Sequence, residues 1–146
     1  MNKNLPKSKT ALFLMELIIV ILFFSLASAV CMQLFARSHL IGKETRELNH
    51  AVAIAQSYAE VMRGTDGSME SILAAFPDAI AEDNYFEVFY DEQFQVCDPA
   101  NAAYVSDVTI RPIGAIQNME IRFVRLADYY EVYTLEATKY MNTPQG

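Results

Sequence analysis

The sequence predicts an α+β fold, in which one long N-terminal helix packs through its second half on a small antiparallel sheet. Three observations predict it. Residues 12–36 are apolar with a single charge, an apolar stripe at helical spacing continues to Met62, and from Tyr85 onward aromatic and β-branched runs alternate with turn residues. Once the apolar run is set aside, roughly 100 residues remain, enough for one domain and not for two.

The run LFLMELIIVILFFSLASAVCMQLFA exceeds the roughly 20 residues that cross a bilayer core. It lacks Pro and Gly, and in lipid the backbone must satisfy its own hydrogen bonds, so a continuous helix follows. Past Arg37, the residues Leu48, Val52, Ala55, Ala59 and Met62 recur at alternating spacings of four and three, which places them on one stripe. Glu44, Glu47 and Glu60 fall off it. Arg63 followed by Gly64 reads as a basic last turn and a left-handed cap. A helix over residues 12–63 would extend about 78 Å, so its second half must pack on something. Gly42 is its weak point, costing about 1 kcal/mol relative to Ala, and a bend is expected there.

Ser68 is expected to cap a short helix that ends at Phe76, before Pro77. Tyr85 to Tyr90 and residues 94–97 read as two strands of a hairpin about Asp91, Glu92 and Gln93, followed by a loop over 98–103. Tyr104 to Ile113, residues 119–126 and residues 129–140 read as three further strands, with turns at 114–118 and at Ala127 and Asp128. Met119, Ile121 and Phe123 alternate with Glu120 and Arg122, which predicts a sheet with one buried face. The tail over 142–146 is expected to be disordered.

Charge is divided along the chain. Eleven Lys and Arg stand against eighteen Asp and Glu. Lys3, Lys7 and Lys9 precede the apolar run, and every acid except Glu16 follows it. Basic residues before the span predict a cytoplasmic N-terminus and an acidic domain outside the cytoplasm. A domain this acidic has no basic patch with which to bind nucleic acid. Cys31 lies in the apolar run and Cys97 in the C-terminal half, so an intrachain disulfide is not expected. Both read as small, partly buried apolar residues, with a pair between subunits through Cys97 as the alternative.

Little points to catalysis. His39 and His50 are three helical turns apart, about 16 Å, too far to share a metal, and they read as surface residues. Asp91, Glu92, Asp98 and Asp107 lack the loop spacing and turn glycine of a calcium site, and read as solvated acids. No nucleophile motif, P-loop or zinc signature is present, so no catalytic residue, metal or cofactor is expected.

The stretch Lys7, Ser8, Lys9, Thr10, Ala11, then Leu12, Phe13, Leu14, Met15, Glu16, then an unbroken apolar run, resembles the prepilin-type leader of type IV pilins and type II secretion pseudopilins. In that family a membrane peptidase cuts after a small residue and methylates the new N-terminal amine, and the fifth mature residue is a glutamate. The resemblance implies cleavage between Ala11 and Leu12, N-methylation of Leu12, and an assembly role for Glu16, whose charge would be offset by the new amine. A carboxylate in a membrane helix costs about 2.5 to 3.5 kcal/mol at the centre, which favours a role over chance. Ala11 and Leu12 stand where the family usually has Gly and Phe; alanine keeps the small size a narrow protease subsite needs.

The chain then divides into a basic leader (1–11), a transmembrane and filament-core helix (12–36) and an extracytoplasmic domain (37–146). Implied partners are the prepilin peptidase, the membrane and other pilin-like subunits in a homo- or hetero-oligomeric filament. Major pilins commonly carry a helix-breaking proline and often a C-terminal cysteine pair, and the absence of both points to a minor pilin or pseudopilin acting as a structural subunit rather than an enzyme. The rival expectation takes Ala27, Ser28 and Ala29 as a secretory cleavage site, releasing a soluble protein; a third is a plain membrane anchor.

Overall fold

The structure, a computed structural model, describes residues 7–141. The expected disorder at 142–146 and the leader residue Lys3 lie outside the described residues. Helix α1 (Lys7–Gly64, 58 residues) is followed by the short helix α2 (Met69–Leu73). Strands β1 (Ile80–Glu82), β2 (Tyr85–Tyr90), β3 (Tyr104–Ile113), β4 (Ile116–Arg125) and β5 (Tyr130–Tyr140) then follow. All five pair antiparallel with their sequence neighbours, in the order β1-β2-β3-β4-β5. The chain forms two units, one ending at Glu44 and one beginning at Thr45.

In the second unit, α1 packs against one face of the sheet, as the α+β reading requires. The face of α1 that is buried comprises Glu47, Ala51, Ala55, Tyr58, Ala59 and Met62. This corrects the expected stripe by a small rotation: Leu48 is exposed and Glu47 is buried. The reason is polar. Glu47 finds two partners on the sheet, so burying a carboxylate is tolerated where hydropathy alone would have placed a leucine. Opposite lie Phe86, Val88, Val108, Ile110, Met119, Ile121 and Phe123, the inward positions of three strands. Each large apolar side chain buried here contributes roughly 1.5 to 3 kcal/mol.

Gly64 does not supply the expected left-handed cap. The positive φ falls three residues later, at Gly67 (φ 82°), where a Cβ would meet Lys139 and Met141 at 3.4 and 3.5 Å. The Lys139 ammonium donates to two of the last carbonyls of α1, Met62 O (3.1 Å) and Arg63 O (3.2 Å), and to Thr65 O just beyond it. A cation at a helix C-terminus also complements the macrodipole. The helix is unbroken at Gly42.

Strands β2 and β3 occupy their expected residues. Residues 94–97 do not form the expected strand, because Asp91 Oδ1 accepts the N–H groups of Gln93 and Gln95 and Phe94 adopts a left-handed φ of 61°, coiling the segment. One bridge, Tyr90 to Val96, remains of that hairpin. The partner of β2 is instead β1, whose three residues are all exposed and give no alternation to detect. β4 begins at Ile116 rather than Met119, since Gly114 (φ 63°) closes a tight turn that pairs Ile113 directly with Ile116. Helix α2 is shorter than expected, although Ser68 caps it, accepting from Ser71 N.

Candidate functional site

The residues singled out for processing lie on α1. Ala11, Leu12 and Glu16 are exposed, as is every side chain from Lys9 to Arg46. This helix is long and apolar enough to cross a membrane. Glu16 has no hydrogen-bonding or charged side-chain partner among the described residues. Ser25 returns its hydroxyl to Ile21 O at 2.8 Å, hiding one of the few polar groups in the run. A shallow apolar furrow is lined by Phe24, Ala27, Ser28, Cys31, Met32 and Phe35. Its small residues Ala27 and Cys31 are four apart, the spacing at which helices in lipid approach closely. Of these residues, Ala27 also belongs to the Ala27, Ser28, Ala29 triplet that the secretory rival takes as its cleavage site.

The second unit holds two polar clusters. In the first, Glu47 is 3% exposed; Tyr104 Oη donates to its Oε1 at 2.8 Å, and Arg125 Nη1 donates to its Oε2 at 2.6 Å. Arg125 also grips Asp128 through two hydrogen bonds of 2.9 and 2.8 Å. The Asp128 pairing is the largest factor raising the Arg125 guanidinium further above its usual range, and the same bonds lower the Asp128 carboxyl. Burial, then the bond to Glu47, pushes the Tyr104 phenol up to about 12.

In the second cluster, Tyr58 Oη lies 2.7 Å from Tyr90 Oη and 2.8 Å from Ser106 Oγ, all buried. Burial holds the phenols of Tyr58 and Tyr90 above their ordinary range; they stay protonated and are not activated as bases or nucleophiles.

The histidines are not brought together. His39 is exposed, while His50, expected at the surface, is half-buried and stacks on Phe94 with centroids 4.1 Å apart. The supposed surface acids have separate tasks: Asp91 builds a turn and Asp107 pairs with Arg122 at 2.9 Å. Among the described residues no group of three or more His, Cys, Asp and Glu could hold a metal ion. Cys31 is exposed and Cys97 half-buried, and both thiols are free. Burial, reinforced by Asp91 and Asp98, pushes the Cys97 thiol up.

The chain matches no protein-family profile, no curated protein and no solved structure. The chain is an α+β protein with a candidate membrane span.

Proposed function

We propose that this chain is a structural subunit, a minor pilin or pseudopilin, of a type IV pilus-like or type II secretion-like filament. The observation that carries the reading is the register of Ala11, Leu12 and Glu16: a small residue, a new N-terminus and one carboxylate at the start of an otherwise uncharged span. The exposed apolar length of α1 supports it, since such a surface needs lipid or other apolar helices as its solvent.

In this reading the chain sits in the inner membrane with its N-terminus cytoplasmic, and the prepilin peptidase cuts after Ala11 and methylates Leu12. On assembly the apolar helices bundle, Glu16 meets the cationic amine of Leu12, and the acidic unit lies outside. The paired charge makes bundling tolerable in a medium that penalises an isolated carboxylate. Intact mass and N-terminal peptide sequencing of the membrane-extracted chain test it. A methylated Leu12 start is expected. A start at Val30 would replace the reading with a secreted protein, and an intact Met1 with a plain anchor.

A further inference from the structure

The sheet carries complementary features at its two ends. Near the end where Tyr90 pairs with Tyr104, a groove is lined by Asp78, Ile80, Phe89, Val96, Cys97 and Asp98. Ile80 and Val96 are about half exposed. Neither Asp78 nor Asp98 forms an ion pair among the described residues. At the other end, β2 stops at Tyr85, paired with Thr109, while β3 and β4 run on to the Gly114 turn. The hairpin tip therefore projects past β2. Arg111 and Ile113 stand on the same face of this tip, both exposed, and Arg111 has no carboxylate partner among the described residues.

The tip cannot reach its own groove. Phe89 pairs with Val105, and Val105 to Ile113 along β3 spans about 26 Å of strand. A cationic, apolar projection at one end and an anionic, apolar groove at the other fit two copies of the chain arranged head to tail. We propose that the β3–β4 tip of one copy seats in the groove of the next, with Arg111 between Asp78 and Asp98 and Ile113 against Ile80, Phe89 and Val96. This deepens, and rests on, the filament-subunit reading by naming a contact between its folded units. The contact is heterologous, so repetition gives an open row rather than a closed pair. A patch this small binds weakly alone; the shared membrane or bundled helices supply the effective concentration that makes it count.

Cys97 provides the probe. The full-length chain carrying Cys31→Ser and Ile113→Cys is expressed in membranes, oxidised with copper phenanthroline and resolved without reductant, because a disulfide forms only when the two Cα atoms approach within about 7 Å. A ladder of dimers, trimers and longer species is expected. Cys31→Ser with Tyr129→Cys, an exposed position in the turn that follows the opposite end of β4, should give at least fivefold less. Arg111→Glu should remove most of the ladder, and Asp98→Arg added to it should restore most of it, which also shows that both variants fold. Dimers alone, equal cross-linking from Tyr129→Cys, or indifference to Arg111→Glu would each overturn the contact. The N-terminal mass of the same sample separates the two levels: a Leu12 start without a ladder removes this contact only, whereas a ladder from chains beginning at Met1 keeps the contact and removes the prepilin reading.

Discussion

Arg125, near the end of β4, donates to Glu47 of α1 across 2.6 Å, and this ion pair ties the sheet to the helix where the folded unit begins. Tyr104 completes the shell of the carboxylate from β3. Three elements thus converge on one buried charge.

Removing the cation should be costly. In Arg125→Leu the Glu47 carboxylate stays buried with only the Tyr104 hydroxyl, a loss of about 3 kcal/mol, the lower end for a broken buried pair because Arg125 is 23% exposed. Glu47→Leu combined with Arg125→Leu should recover more than half of it. Urea unfolding of the full chain in detergent, followed by tyrosine fluorescence, measures both.

Stability should decline at both pH extremes. Tyr104 and Tyr85, each raised to about 12, and Tyr58 and Tyr90, also raised, keep their protons longer folded than unfolded; the leading cause for Tyr85 is its hydrogen bond with Glu87, and for the others burial. Their contribution is complete below about pH 10, the unfolded value, and is lost as pH rises through 12. Asp66, lowered from 3.8 to about 2 chiefly by Ser68, and Asp128, lowered chiefly by Arg125, contribute above the unfolded value and lose it as pH falls. Melting temperature against pH should therefore be flat from about 5 to 9 and fall on either side. Tyr58→Phe should flatten part of the alkaline limb while lowering the unfolding free energy on the plateau by about 1 to 2 kcal/mol.

Lys139→Met should loosen the end of α1. The carbonyls of Met62, Arg63 and Thr65 lose their common donor, at about 1 to 3 kcal/mol. Amide hydrogen exchange should accelerate at residues 61–68 and remain unchanged in β2 and β3.

If the chain is the proposed filament subunit, Glu16→Gln should insert in the membrane and be cut after Ala11, yet enter filaments poorly. The substitution eases insertion by removing a charge from the span, and in that reading it leaves the Leu12 amine without its partner in the packed helices. Glu44→Gln, at an exposed position, should assemble normally. Comparing processed chain in membranes with chain in sheared filaments decides it; equal incorporation of the two variants would remove the assembly role from Glu16.

Much of the fold was legible because its signals are local. Tyr85–Tyr90 is a run of aromatic and β-branched residues ended by Asp91, and its even positions are buried in the strand, while the apolar run could only be a helix. β4 hid its start behind Gln117 and Asn118, polar residues whose strand state is imposed by pairing with Pro112 and Arg111. Glu47 was unreadable for a different reason: its partners lie 57 and 78 residues away. Hydropathy assigns a carboxylate to water unless the distant donors are known. Ala11, Leu12 and Glu16 were legible as a spacing, whereas the groove about Cys97 needed the left-handed Phe94 turn that no residue preference announces.

The hydroxyls of Tyr58, Tyr90 and Ser106 act on the azimuth of α1. Ala51, Ala55 and Ala59 give the helix a smooth contact surface, and a smooth cylinder on a sheet can roll or slide with little change in apolar area. The three hydroxyls remove that freedom: a roll of one residue, about 100°, would carry Tyr58 off its partners and leave Tyr90 and Ser106 buried with reduced bonding. Phase is thus keyed by a few polar atoms, and Tyr58→Phe should broaden the range of helix rotations more than it lowers the melting temperature.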